Sequence, residues 1–250
     1  MRLSIELKRK LFHHLSLLYM ALYAFTPRWF ALPVLGLALL ILSGIEFIRL
    51  RRPEVNARFL KAFGGLHRPT EILAPSGIFW TLAGCWLIMM LLEERTLVLP
   101  ILGMLAFGDT AAALCGRRWG VHYWRSLPVE PDPSRLSWVK LWKLPANPSK
   151  TLEGSAAFAA ASFFWIVLFL RPHVALLGAA GGAWVESRKQ DWNDNFWIPV
   201  GGGLILGFLS LLLAGGVGRS MHLWQKAGIA IYLVSALAGY AFYAREGSPE

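Results

Sequence analysis

The sequence predicts an all-α, polytopic membrane helix bundle of about eight transmembrane helices, and three observations predict it. Of its 250 residues 56% are hydrophobic and only 16% are charged, whereas an ordinary soluble domain carries about 25% charged residues. The apolar residues come in blocks long enough to cross a hydrocarbon core ~30 Å thick. The basic residues, which give a formal net charge of +10, collect between those blocks.

In chain order the blocks fall at 11–26, 29–48, 73–92, 96–115, 152–170, 172–187, 196–214 and 223–244. The first follows a basic start but lacks an A-x-A cleavage site, so it reads as a retained membrane helix rather than a removed signal. The sixth, "VALLGAAGGAW", is short and rich in small residues, which let helix backbones approach closely and place it inside the bundle. Eight helices result, or seven with one re-entrant segment. No Gly/Ser linker divides the blocks, so residues 1–250 read as one integral-membrane domain with a long loop at 116–150. Cys85 and Cys115 each lie in an apolar block and read as small buried hydrophobes, without a disulfide framework or metal set.

Loop charge sets the orientation. All of the 25 Lys and Arg except Arg28, Arg95, Arg171, Arg219 and Lys226 fall on the side of the N-terminus. Basic loops stay cytoplasmic, which puts the N-terminus and the 116–150 loop inside, at the inner membrane if the source is bacterial. Such a face suits anionic lipid headgroups or an anionic substrate; nucleic acid is not an expected partner. Within the loop, "LSWVKLWKLP" reads as a basic amphipathic piece lying on the membrane.

On this topology six carboxylates share the cytoplasmic level: Glu46, Asp109, Glu153, Glu186, Asp191 and Asp194. Glu46 and Glu153 also read as ordinary interfacial charges, and Asp191 and Asp194 as a solvated loop. Asp109 is harder to dismiss. It sits between "LAF" and "TAAAL", and an ionisable group in an apolar span marks a functional site by default. Carboxylates can hold Mg²⁺, which keeps waters and binds substrate phosphates, while Lys and Arg neutralise phosphate oxygens. Together they describe a nucleotide-triphosphate site beside a lipid pool.

Three stretches carry that chemistry. "FGDTAAALCGRRWG" (107–120) puts two arginines after Asp109. In "NPSKTLEGS" (147–155) Ser149 or Thr151 can cap a helix, Glu153 falls in its first turn, and Lys150 beside the free N–H groups makes an anion site. It is not a Walker A loop. Lys150 reads here as a cation exposed at the interface, whose removal costs little stability. In "VESRKQDWNDNFWIP" (185–199) Glu186 ends a helix, and Asp191, Asp194 and Asn195 follow in a polar turn. At the start of the chain, "ELKRKLFHH" sets His13 and His14 at the inner membrane edge.

In this order, the four stretches resemble the dolichol kinase/phytol kinase/CTP-dependent diacylglycerol kinase family, from Glu6 to about Pro199. The resemblance implies a membrane enzyme that transfers a phosphoryl group from CTP, with Mg²⁺, to a long-chain lipid alcohol: a polyprenol or dolichol, phytol, or diacylglycerol. It carries over to Asp109, Gly116, Arg117 and Gly120, to Lys150, Thr151, Glu153 and Gly154, and to Glu186, Asp194 and Asn195. Arg9, Lys10 and His13 match the family's basic-plus-histidine start. The implied roles are Asp109 as Mg²⁺ ligand or hydroxyl base, with Lys150 and Glu153 beside it in catalysis. Glu186 and Asp194 become supporting metal ligands. Gly116, Arg117, Gly120, Lys150, Thr151 and Gly154 take the nucleotide. The stretch from Trp119 to Lys150 is longer than the family pattern.

The first two motifs also resemble phosphatidate cytidylyltransferases, which make CDP-lipids, but the K-R-x-x-x-x-K-D run of those enzymes is absent. A lipid transporter using the buried acid to couple protons would spread its acids along a crossing path. Here they gather on one side.

Overall fold

The computed structural model describes residues 16–63, 71–124, 147, 149–188 and 193–213. Arg9, Lys10, His13, Asp191, most of the 116–150 loop and the 223–244 block lie outside the described residues. Among those described the secondary structure is helical, and the one extended pairing is an isolated antiparallel bridge between Tyr123 and Thr151. The chain divides into two compact units, Met1–Leu102 with Gly218–Glu250, and Gly103–Val217.

The first unit contains α1 (Ser16–Phe25), α2 (Arg28–Arg51), α3 (Pro53–Ala62) and α4 (Gly77–Leu91). Pro27 ends α1 and starts α2, its fixed φ suiting a helix start. Trp29, Leu37, Leu40, Ile41 and Phe47 of α2 are exposed, as a lipid-facing stripe would be. The other face packs on α1, α3 and α4. Trp86 of α4 lies against Gly36, and its indole N–H donates to the Leu32 carbonyl at 3.0 Å. Ser76 caps α4 by accepting from Phe79 N–H, and the Arg28 guanidinium donates to the last carbonyls of that helix, Met89 and Met90.

Glu46 is taken up within this unit. Its Oε2 accepts from Arg49 Nε at 2.8 Å, and Arg49 is itself fully buried. The same guanidinium donates to Asn56 Oδ1 and to the carbonyls of Glu71 and Ala74. One buried cation thus ties the end of α2 to α3 and to the segment before α4. That is a structural use of Glu46, in line with the rule that buried charges are paired.

The helix Arg95–Trp119, α5, has its first turns in the first unit and the rest in the second. The second unit continues with α6 (Leu152–Ile166), α7 (Pro172–Glu186) and α8 (Asp194–Leu213). α6 packs between α5 and α7, and α7 packs on α8. Small residues make these approaches possible, as in membrane bundles generally. A Cβ on Gly182 would lie 2.3 Å from the Met104 sulfur, and one on Gly178 would lie 2.2 Å from Leu206. The glycine-rich sixth block therefore buries its small-residue face, with Gly178, Ala179, Gly182 and Ala183 buried, while Leu176 and Leu177 are exposed.

Two π turns interrupt the α-helical ladder, Met104–Gly108 in α5 and Ile198–Gly202 in α8, and they pack against each other. Each inserts a residue and rotates what adjoins it, as single π turns near functional sites often do. Asp109 directly follows the first, and Asp194 begins the helix that contains the second.

Among the described residues, three helices are long and apolar enough to cross a membrane: α2, α5 and α8, of 24, 25 and 20 residues. At 1.5 Å per residue these reach about 30 Å or more. α4 and α6 are apolar but have 15 residues each, below the ~17 usually needed. The membrane-helix architecture is present; the span count of seven or eight stays an expectation.

Candidate active site

The site is built where the segment after α5 meets the start of α6. Residues 122–124 run antiparallel to 150–152: Leu152 N–H donates to the His122 carbonyl at 2.8 Å, and Trp124 N–H to that of Lys150 at 3.2 Å. Thr151 is the N-cap of α6, its Oγ1 accepting from Gly154 N–H at 3.1 Å. Asn147 fixes the approach, since its N–H donates to the Ser187 carbonyl at the end of α7 and its carbonyl accepts from Lys150 N–H.

Lys150 is held among carboxylates by these constraints. Its ammonium donates to Glu186 Oε1 and lies 3.3 Å from Asp194 Oδ2. Burial alone would pull its pKa down. The carboxylates of Asp194, Glu186 and Asp109 outweigh that and hold it above the ordinary lysine range. Asp109 and Glu186 are 4% and 2% exposed. The second oxygen of Glu186 accepts from Ser155 Oγ at 3.3 Å, and that hydroxyl accepts from the Trp124 indole N–H at 3.0 Å. Four helices or their flanks thus contribute to one polar cluster: Asp109 from α5, Lys150 and Ser155 at α6, Glu186 from α7 and Asp194 from α8.

The structure brings Asp109, Lys150, Glu186 and Asp194 together. Glu153 turns elsewhere: its Oε1 lies 2.6 Å from His122 Nδ1, and both its oxygens accept from His122 N–H. Arg117 is exposed in the last turn of α5, where a cation complements the helix dipole. Asn195 lies in the first turn of α8, its N–H donating to the Asn193 cap.

The glycines have a packing use. A Cβ on Gly116 would stand 3.0 Å from Thr151 Oγ1, one on Gly154 3.0 Å from the Ala112 carbonyl, and one on Gly120 2.7 Å from Thr151. Gly116, Gly120 and Gly154 therefore let α5 and α6 approach, which sets Thr151 and its neighbour Lys150 in place.

Among the described residues, no three His, Cys, Asp or Glu side chains group closely enough to hold a metal ion by themselves. Mg²⁺ asks for less, since it binds through one or two carboxylates plus substrate phosphates and keeps several waters. The oxygen donors of Asp109, Glu186 and Asp194 fit that chemistry.

Over 209 residues the chain is 32% identical to CTP-dependent diacylglycerol kinase 1 of Saccharomyces cerevisiae, a match covering 78% of this chain and 70% of that protein. The chain belongs to the CTP-dependent diacylglycerol kinase family. A second relative, CTP-dependent diacylglycerol kinase 1 of Schizosaccharomyces pombe, is 27% identical over 89 residues, 36% of this chain and 40% of the other. No protein-family model and no solved structure matches. For this member of the family, the motifs alone did not single out His122, Trp124 or Ser155. Ser155 was within reach: it follows the N-cap by four positions, one turn along the helix from Thr151. His122 and Trp124 carry no such signal, because their partners lie 31 residues away.

Proposed function

We propose that this protein is a CTP-dependent lipid kinase that moves the γ-phosphoryl group to the hydroxyl of a membrane lipid alcohol, with diacylglycerol ahead of a polyprenol or phytol as acceptor. The observation that carries the reading is the Lys150 ammonium held among Asp109, Glu186 and Asp194. Family membership supports it, and the names of both relatives favour CTP and diacylglycerol.

Phosphoryl transfer is mostly a matter of position and charge stabilisation. Lys150 takes a phosphate oxygen of the nucleotide in exchange for its carboxylates, with Arg117 as a second cation. Gly116, Gly120, Thr151 and Gly154 hold the α5–α6 junction that presents Lys150. Asp109, with Glu186 or Asp194, would hold Mg²⁺, which would supply charge that offsets the phosphates. The reading places the site at the cytoplasmic face of a multi-pass protein whose N-terminus is inside, where Arg9 and Lys10 add positive charge and His13 follows them.

The test is purified protein with γ-labelled CTP or ATP and diacylglycerol, polyprenol or phytol. The reading expects γ-label in diacylglycerol, with CTP as the better donor. A CDP-lipid product, or no transfer to any alcohol, would overturn it.

A further inference from the structure

His122 and Glu153 form a dyad that the polar cluster does not use. One carboxylate grips this histidine twice, at its backbone N–H (3.2 and 3.4 Å) and at ring Nδ1 (2.6 Å). In return the His122 carbonyl accepts from Leu152 N–H, one residue before Glu153. The grip fixes both the main chain and the ring of a side chain that is 73% exposed. Long or exposed side chains lose entropy when pinned, so such fixation suggests that the free edge of the ring has a task.

The protonation pattern follows from the partner. A carboxylate only accepts, so Nδ1 carries the hydrogen, and the ring nitrogen that can take up a proton is Nε2. A carboxylate orienting an imidazole whose far nitrogen is left open is the arrangement that serves general bases. The paired segments set the main chain of His122 across from Leu152, two residues from Lys150, and Trp124 on the same segment reaches Ser155 and through it Glu186.

We propose that His122 Nε2 accepts the proton of the lipid hydroxyl, with Glu153 as the positioning residue that fixes the ring; this rests on the kinase reading above. As the hydroxyl oxygen bonds to the γ-phosphorus, the bond from that phosphorus to the β–γ bridging oxygen breaks. CDP leaves with the electron pair, the hydroxyl proton passes to Nε2, and the imidazolium later releases it to water. Asp109, buried, is then left to hold positive charge.

The test uses full-length His122→Ala, His122→Gln and Glu153→Gln, with kcat and the KM for CTP measured separately. Both His122 variants should lose about 10²-fold in kcat, on the scale of a general base, with KM for CTP within about twofold. Added imidazole should restore part of the rate of His122→Ala, because the vacated position is exposed, and none of the rate of Asp109→Asn. Glu153→Gln should fall less than His122→Ala. Wild-type kcat in both His122 variants, or a loss that imidazole does not rescue, would overturn the proposal while leaving the kinase reading intact. A wild-type protein that phosphorylates no lipid would instead refute the kinase reading.

Discussion

Lys150 is engaged by carboxylates from two further helices, so replacing it acts on stability and on activity together. Lys150→Met leaves Glu186 buried without its cation. Breaking a buried pair by removing one partner costs roughly 3–5 kcal/mol, and the 19% side-chain exposure of Lys150 points to the lower end. The expected result is a lower apparent Tm in detergent and loss of CTP binding. Adding Glu186→Gln to Lys150→Met should recover much of the Tm and none of the binding; thermal unfolding of the two variants beside a nucleotide-binding assay checks both halves. The sequence pointed to Lys150 and to Glu186 but made the lysine a solvated interfacial charge. The contact spans 36 residues, and nothing local says that the "NPSK" turn folds back onto the end of α7. Glu46 shows the converse. In sequence it belongs with the site carboxylates; in space Arg49, one turn later, takes it up.

The α5–α6 junction holds the site through small residues, and that seam has its own test. A Cβ at Gly120 would come within 2.1 Å of the Gly116 carbonyl and 2.7 Å of Thr151. Gly120→Ala should therefore push the helices apart or shift Thr151, at about 1–3 kcal/mol for overpacking, and weaken CTP binding with it. Gly44 of α2 has nothing within 4 Å of its Cβ position. Gly44→Ala should be neutral or slightly stabilising, since alanine is the better helix former by up to ~1 kcal/mol. Apparent Tm values for the two variants separate packing from propensity; equal losses would contradict the close-approach account. At this scale much was legible: a cap at Ser149 or Thr151, of which Thr151 is the one used, the close-packed small-residue face of α7 and the helical course of the described blocks all follow from local patterns. The π turns were not: an added residue shows only as a phase shift of the apolar face, and the sequence around both turns is apolar at nearly every position. The packing contact of the glycines of "CGRRWG" was also not legible, since Thr151 and Gly154, which their Cβ positions face, lie more than 30 residues on.

For the whole molecule the predictions concern topology and chemistry. The bias of Lys and Arg predicts that residue 134, in the long loop, is cytoplasmic; a cysteine at Ser134 should react with an impermeant reagent only after the membrane is opened. Labelling in intact cells would reverse the orientation. Membrane class was legible from block length and charge placement alone, because the bilayer imposes both. Helix length was less so: the apolar runs 73–92 and 152–170 became helices of 15 residues, α4 and α6, the first starting late at its Ser76 cap and the second ending at Ile166. The central claim is that an aspartate persists in an apolar helix because its charge is used against a cation and phosphate. Asp109→Asn keeps the size and removes the charge, so the fold should be retained while turnover falls about 10²–10³-fold, the scale of losing one transition-state stabiliser. The direct measurement is phosphoryl transfer from CTP to diacylglycerol by detergent-purified wild type and Asp109→Asn across a Mg²⁺ titration. The account predicts that large fall with a changed Mg²⁺ dependence; near-wild-type turnover with an unchanged Mg²⁺ requirement would contradict it.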